Sequence, residues 1–195
     1  MEQFKKILIL SISSFILSCV STKYVDSYES VNVFLKTQKL GKKKYILQSD
    51  KGRNKQALRI FNRGEGAAHI IDSSDPVDYT DDLFVEKHWR KMYRKYAKDT
   101  IKKYWKKEDF PGHNFFLEKG TGLTLKYDIG IKYMNSGIED VIVISEPMYY
   151  WNKKYIMFYF NIVSFSGSLE PQVVIMKKEK KKWIVVKVIG DYVYY

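Results

Sequence analysis

Three groups of ionisable side chains could carry chemistry in this chain, and the first is a run of acids around Pro76. Its members are Asp72, Asp75, Asp78, Asp81 and Asp82. Carboxylates in one loop offer the oxygen ligands that Ca²⁺ prefers, but the run lacks the alternating acids, central glycine and closing glutamate of an EF-hand loop. Acids that precede a helix also stabilise its positive amino end. We therefore expect an acidic lead-in to a helix, with no metal and no other cofactor.

The other two groups are a loop histidine and two carboxylates in predicted strands. His113 lies near Glu108 and Asp109, where an imidazole could act as a general base, although a histidine in a turn is usually incidental. Asp128 and Glu146 would be candidate acids if they pointed into a cavity, but we expect both to face solvent. Because no GxSxG, Walker, dinucleotide-binding or HExxH motif occurs, the sequence favours a protein that is not an enzyme. A hydrolase that uses a pocket carboxylate or a histidine is the alternative.

The first 22 residues have the pattern of an export signal. Lys5 and Lys6 precede an apolar run from Ile7 to Leu17, which has the length of a secretory signal and is too short to span a bilayer. The run ends in Ile16-Leu17-Ser18-Cys19, which resembles the lipobox of bacterial lipoproteins. This resemblance implies that residues 1–18 are a signal peptide and that Cys19 is lipidated.

Cys19 is the single cysteine of the chain. A lone thiol would be a liability in an exported protein, and lipidation accounts for it. We expect residues 19–26 to form the lipidated cysteine and a tether, and residues 27–195 to form one globular domain. Val20 is not the acidic residue that retains some lipoproteins at the inner membrane. The resemblance therefore implies a protein of the cell envelope, anchored in the outer membrane and facing either the periplasm or the cell surface.

The composition indicates a folded and basic domain. The chain is 45% hydrophobic and 16% aromatic, and 34 basic residues exceed 22 acidic ones. Six basic residues share one predicted helix face: Lys87, Lys91, Arg94, Lys95, Lys98 and Lys102. This face either attracts an anionic lipid surface or an acidic partner protein, or is a solvated face whose lysine stems cover apolar surface. Because the protein is expected to be exported, nucleic acid is not an expected partner.

The apolar spacing predicts helices in the first half of the chain. The longest runs from about residue 81 to 107, with Thr80 as its N-cap, because its apolar residues recur every three or four positions. A first helix is expected over residues 27–40. Between them, residues 42–62 are interpreted as a hairpin, because two short apolar runs flank Asp50-Lys51-Gly52.

From residue 114 onward the sequence predicts an antiparallel sheet of five or six strands. The predicted strands are Phe115–Leu117, Leu123–Tyr133, Val141–Ile144, Tyr155–Phe165, Val173–Met176 and Trp183–Ile189. They are rich in β-branched and aromatic residues, and the breaks between them are too short for crossover helices. We therefore predict an α+β fold in which the long basic helix packs on an antiparallel sheet, with a cone shape as one alternative for this arrangement.

The last 55 or so residues show a second resemblance. Ile144-Ser145-Glu146-Pro147, Asn152–Tyr155 and the lysine-rich turn before Trp183 are similar to the closing strands of small secreted bacterial domains, some of them NTF2-like or cystatin-like. This second resemblance carries no catalytic signature and supports the α+β prediction. The lipobox and the absence of any catalytic motif together favour a binding or structural role at the envelope, acting through the groove between helix and sheet. An immunity or accessory lipoprotein that serves a partner protein is a further alternative.

Overall fold

The computed structural model describes residues 24–38, 40, 43–52, 54–62, 80, 82–168 and 171–190. Its helices are α1 (Glu29–Thr37), α2 (Asn54–Phe61), α3 (Glu86–Tyr96) and α4 (Tyr127–Tyr133), with 3₁₀ turns at Lys107–Asp109 and Leu123–Leu125. Its strands are β1 (Tyr45–Gln48), β2 (Phe115–Glu118), β3 (Asp140–Ile144), β4 (Met148–Tyr150), β5 (Tyr155–Ser164), β6 (Gly167–Ser168), β7 (Gln172–Glu179) and β8 (Lys182–Gly190). The predicted combination of helices with a β-sheet is confirmed.

The sheet is mixed rather than antiparallel throughout. Its strand order is β2-β1-β3-β5-β7-β8, and β4 and β6 each pair with β5. Strand β1 is parallel to both of its neighbours, β2 and β3, whereas the remaining pairs are antiparallel. The prediction of a purely antiparallel sheet is therefore wrong for its first three strands. Long connections containing helices separate these strands in the chain, as parallel neighbours require.

The segment between β2 and β3 explains this error. Strict apolar alternation from Leu123 to Tyr133 predicts a strand, but the segment folds into a 3₁₀ turn followed by α4. This helix buries Ile129 and Tyr133, which are four residues apart and share a face. Since α4 crosses from β2 to β3, the two strands can run in the same direction.

Helices cover both faces of the sheet. Along β5, Tyr155, Met157 and Tyr159 point to one face, where they pack with α2 and α3. Ile156, Phe158 and Phe160 point to the other face, where they pack with α1 and with the rings of Trp105 and Phe110. Because β5 is buried on both faces, it occupies the centre of the core.

The predicted long helix is much shorter in the structure. Helix α3 begins at Glu86 and ends at Tyr96, and Thr80 does not cap it: its hydroxyl instead accepts a hydrogen bond from the Phe84 N–H. After α3, the Asp99 carboxylate accepts a bond from the Ile101 N–H. The chain then continues without α-helix to form an antiparallel bridge between Tyr104 and Asp50. Of the apolar residues in this extended segment, Trp105 is buried in the core, whereas Ile101 and Tyr104 are exposed.

Two further predictions concern the chain before α3. The first helix is confirmed, since α1 lies within the predicted residues 27–40. The hairpin over residues 42–62 is wrong, because its second arm is the helix Asn54–Phe61. That helix buries Ala57, Leu58, Ile60 and Phe61, which recur at the spacing of a helix face.

Candidate ligand-binding cleft

The most distinctive cavity lies at the carboxyl ends of the parallel strands β1, β2 and β3. We call it the strand-end cleft; its volume is about 680 Å³. Its wall contains Asp50 and Lys51, which follow β1, Gly120, which follows β2, and Glu146, which follows β3. Ligands of sheets with parallel strands commonly bind outside the carboxyl ends of those strands, where the connecting loops diverge. The position in the fold therefore favours this cleft as a binding site.

A glycine brings the loop after β1 against the end of β3. The Gly52 N–H donates to the Ile144 carbonyl over 2.7 Å, and a Cβ atom at Gly52 would lie only 3.2 Å from the Ser145 nitrogen. The Asp50 carboxylate also accepts a hydrogen bond from the Gly120 N–H, 2.5 Å away. These bonds join the loops that follow the three parallel strands into one wall and position Lys51.

Lys51 and Glu146 form an ion pair inside this wall. Each side chain is only 7% exposed, and the Lys51 ammonium also donates to the Tyr28 hydroxyl over 2.6 Å. The same ammonium lies 3.9 Å from the ring centre of Trp105 and 4.4 Å from that of Tyr28. Burial lowers the pKa of Lys51, although its contact with Glu146 acts in the opposite direction. Burial and the Glu146 charge raise the pKa of Tyr28.

A second polar cluster fixes Tyr24 in the cleft wall. The Tyr24 hydroxyl donates to Asp99 over 2.7 Å and accepts a bond from Asn54 over 2.8 Å. The Lys103 ammonium binds Asp99 at 2.9 Å and lies 3.4 Å from the centre of the Tyr24 ring. Burial alone would raise the pKa of Asp99, but the hydrogen bonds from Lys103, Tyr24 and the Ile101 N–H outweigh it and lower that pKa.

The cleft carries more positive than negative side chains. Its lysines are Lys51, Lys55, Lys102, Lys103 and Lys126, and its acids are Asp50, Asp99 and Glu146. Lys51 and Lys103 are held in the ion pairs described above. Lys55, Lys102 and Lys126 are exposed and form no ion pair with any other described residue. An anionic ligand would therefore meet unpaired ammonium groups at the mouth of the cleft.

The six basic residues predicted to share a helix face do not all lie on one helix. Lys87, Lys91, Arg94 and Lys95 are exposed on α3, whereas Lys98 and Lys102 follow its end. Lys102 lines the strand-end cleft. Lys91 and Lys95 line a second groove of about 300 Å³, between α3 and the turn that joins β4 to β5. Tyr96 lines both cavities, so the basic surface continues around the carboxyl end of α3.

The second groove is aromatic as well as basic. The His88 ring stacks on Trp151 with 4.8 Å between ring centres, and the turn itself has an unusual backbone. Trp151, Asn152 and Lys153 have φ angles of 46°, 51° and 69°, the left-handed region that side chains disfavour. This turn therefore presents its side chains at a cost in backbone strain.

The remaining predicted candidates lie elsewhere or have different surroundings. His113 stacks on Phe115 with 5.3 Å between ring centres, and its pKa is lowered by burial and by the charge of Lys36. It does not line the strand-end cleft. Asp128 is exposed, as predicted, but lies on α4 rather than on a strand. Glu146 is buried, so the prediction that it faces solvent is wrong.

Sequence reasoning also missed Lys51, Tyr24 and Asp99 as members of a site. The one local signal is Asp50-Lys51-Gly52, which has the residues of a hairpin turn but follows the buried strand β1 and leads to a helix. Cys19 and the acids from Asp72 to Asp81 lie outside the described residues. Within the described ranges, no three His, Cys, Asp or Glu residues are grouped to hold a metal ion. Among the helices of those ranges, none has the length and apolarity needed to cross a membrane.

No protein-family model, curated protein or solved structure matches this chain.

Proposed function

We propose that this protein is anchored at Cys19 by lipid in the bacterial cell envelope, where its strand-end cleft binds an anionic ligand without transforming it. The observation that supports ligand binding is a set of three exposed lysines around one cleft, none of which forms an ion pair with another described residue: Lys55, Lys102 and Lys126. The lipobox-like Ile16-Leu17-Ser18-Cys19 supports the anchor. We assign ligand binding to this cleft rather than to the predicted groove between helix and sheet, because helices cover both faces of the sheet.

Binding without catalysis is favoured by the way the cleft acids are engaged. Glu146 is held by Lys51, Asp99 by Lys103 and Tyr24, and Asp50 by the Gly120 N–H. A general base must be within hydrogen-bonding reach of the proton that it removes. Acids already engaged by neighbouring donors are better suited to building the wall than to removing protons from a ligand.

The anchor is tested by replacing Cys19 with alanine. We expect the Cys19→Ala protein to lose metabolic labelling with palmitate and to leave the membrane fraction on mild extraction. A matched Ser21→Ala variant should keep both properties. Labelling that persists without Cys19 would overturn the anchor.

Ligand binding is tested with inorganic pyrophosphate as the probe, by calorimetry on the full-length protein in detergent. Lys102 and Lys126 are changed to glutamate together. The control reverses Lys36 and Lys44, which are exposed outside the cleft, so both variants carry the same net charge. Since hydrogen bonds to charged groups contribute about 1.5–3 kcal/mol each, we expect the cleft variant to bind pyrophosphate at least about tenfold more weakly. Equal weakening in both variants would reduce the effect to overall charge and overturn the site.

A hydrolase is the second candidate, favoured by the convergence of Lys51 and Glu146 in a cleft. A lysine whose pKa is lowered by burial can act as a base or a nucleophile. Its ammonium, however, is already bonded to Glu146 and Tyr28 and lies against two rings. The test is hydrolysis of phosphate-ester or peptide probes by the protein and by a folded Lys51→Met variant. Hydrolysis that the substitution abolishes would establish this second function. We expect no hydrolysis by either protein.

A further inference from the structure

The mouth of the strand-end cleft carries an unusual set of exposed apolar side chains. Ile101 is 71% exposed on one lip, beside Lys102. On the other lip Lys126 lines the cleft. Its chain neighbours Leu125 and Tyr127, which do not line the cleft, are 90% and 84% exposed. Single exposed apolar residues are ordinary on protein surfaces, but here large apolar residues are the chain neighbours of a cleft lysine on each lip.

The apolar surface extends along α4. Tyr127, Ile131 and Met134 are exposed, and their spacing of four and three residues places them on one side of the helix. Ile129 and Tyr133 occupy the buried side. The helix therefore has apolar residues both where it packs on the sheet and, beside the exposed Asp128 and Lys132, where it meets solvent. This pattern indicates a surface with a partner of its own.

The position of the predicted anchor identifies that partner. Tyr24 lines the strand-end cleft and is fixed there by Asp99, Asn54 and the ring of Tyr96. Cys19 precedes Tyr24 by five residues, which span at most about 18 Å however they are arranged. A cysteine lipidated at the membrane surface would thus keep Tyr24, in the cleft wall, within about 18 Å of that surface.

We propose that the lips of the strand-end cleft dock on the membrane that holds the anchor, and that the anionic ligand of the cleft is the phosphate-bearing headgroup of a phospholipid. This proposal depends on the proposed anchorage at Cys19. Exposed Ile101, Leu125 and Tyr127 enter the interfacial region, where apolar and aromatic side chains are stable. Lys55, Lys102 and Lys126 attract anionic headgroups to the same place. The short tether raises the local concentration of headgroups around the cleft, so that a weak site is occupied.

The test uses the acylated full-length protein, reconstituted in vesicles of phosphatidylcholine with and without phosphatidylglycerol. Lipidation through sulfur leaves no free thiol at Cys19, so a cysteine introduced by Leu125→Cys is the only site for an environment-sensitive fluorophore. The control is Ser166→Cys, which is exposed beside the Ser164 end of β5, opposite the amino end of β3 and thus at the other end of the sheet.

With phosphatidylglycerol present, we expect blue-shifted emission and quenching by nitroxide-labelled lipid at position 125, and water-like emission at position 166. Reversal of Lys102 and Lys126 to glutamate should lower the ratio of docked to undocked protein about tenfold or more. Reversal of Lys36 and Lys44 should leave this ratio nearly unchanged.

Three other results would each overturn a different part of the proposal. Water-like emission at position 125 in anionic vesicles overturns docking and leaves the anchor intact. A blue shift that needs no phosphatidylglycerol and grows with protein density shows that a second copy of the chain covers this face. Label that enters the protein without an introduced cysteine reports a free thiol at Cys19, which overturns the proposed function itself.

Discussion

Lys51 and Glu146 form a salt bridge that joins the loop after β1 to the end of β3, with each side chain only 7% exposed. Such a pair is costly to desolvate, and here Tyr28 donates to the carboxylate while accepting from the ammonium. The two charges are thus satisfied by each other and by a tyrosine from the segment before α1. This arrangement connects the amino-terminal segment, the sheet and the cleft.

Removal of one charge should therefore be strongly destabilising. We expect Lys51→Met to lower the free energy of unfolding by about 3–5 kcal/mol, because an unpaired Glu146 would remain buried. The measurement is urea denaturation followed by circular dichroism.

Arg90→Gln is the control: it breaks the exposed Glu86–Arg90 pair and should cost less than about 1 kcal/mol. The double variant Lys51→Met, Glu146→Leu should recover much of the loss. A Lys51→Met variant as stable as Arg90→Gln would contradict this role.

The sequence predicts the second half of the fold better than the first, because β5, β7 and β8 are stabilised by neighbours close in the chain. Their hairpins bring apolar runs together, so local pattern and tertiary structure agree. The parallel strands β1, β2 and β3 pair across distant parts of the chain. A four-residue strand such as Tyr45–Gln48 contains too little pattern to indicate these partners.

The site was harder to predict, since its residues come from separate loops. Glu146 is paired with Lys51, which lies 95 positions earlier in the chain and next to Gly52, whose N–H binds the end of β3. No local spacing carries that information. The prediction of a strand from Leu123 to Tyr133 failed for a different reason. The alternation of apolar and polar residues is that of a strand, yet Leu125, Tyr127 and Ile131 are exposed in the structure. Failure of a folding rule commonly marks functional surfaces, and this segment forms one lip of the proposed docking face.

The network around Asp99 should make stability depend on acid pH. Because the pKa of Asp99 is lower in the folded protein than in the unfolded chain, its contribution is complete above the unfolded value near pH 3.9. That contribution is lost as pH falls through the folded pKa. We expect Asp99→Asn to flatten the acid limb of a plot of unfolding free energy against pH. Glu118, whose pKa is also lowered, should leave a residual slope. Parallel curves for the two proteins would show that Asp99 does not contribute.

Two glycines should respond to alanine in opposite ways. A Cβ at Gly52 would meet the Ser145 nitrogen at 3.2 Å and the Ile144 carbonyl at 3.3 Å, and these backbone atoms cannot easily move. We expect Gly52→Ala to destabilise by about 1–3 kcal/mol, as overpacking does, and to weaken pyrophosphate binding. Gly130 lies within α4 with nothing within 4 Å of its Cβ position. Gly130→Ala should stabilise by about 0.5–1 kcal/mol. The measurement is the free energy of unfolding of both variants, from thermal and urea denaturation. Equal changes in stability would refute the close approach of Gly52 to the end of β3.

The basic surface around α3 should act at longer range than the cleft. Lys91, Lys95 and Lys98 are exposed but do not line the strand-end cleft, so their attraction to anionic lipid is screened by salt. We expect their joint reversal to glutamate to weaken flotation of the full-length Cys19→Ala protein with phosphatidylglycerol vesicles at low ionic strength. Flotation with neutral vesicles gives the baseline. Near 1 M salt, where the Debye length is about 3 Å, the variant and its parent should bind alike. Equal binding at low salt as well would leave these lysines as a solvated face. In that case the cleft lips alone would carry the electrostatic attraction to the membrane.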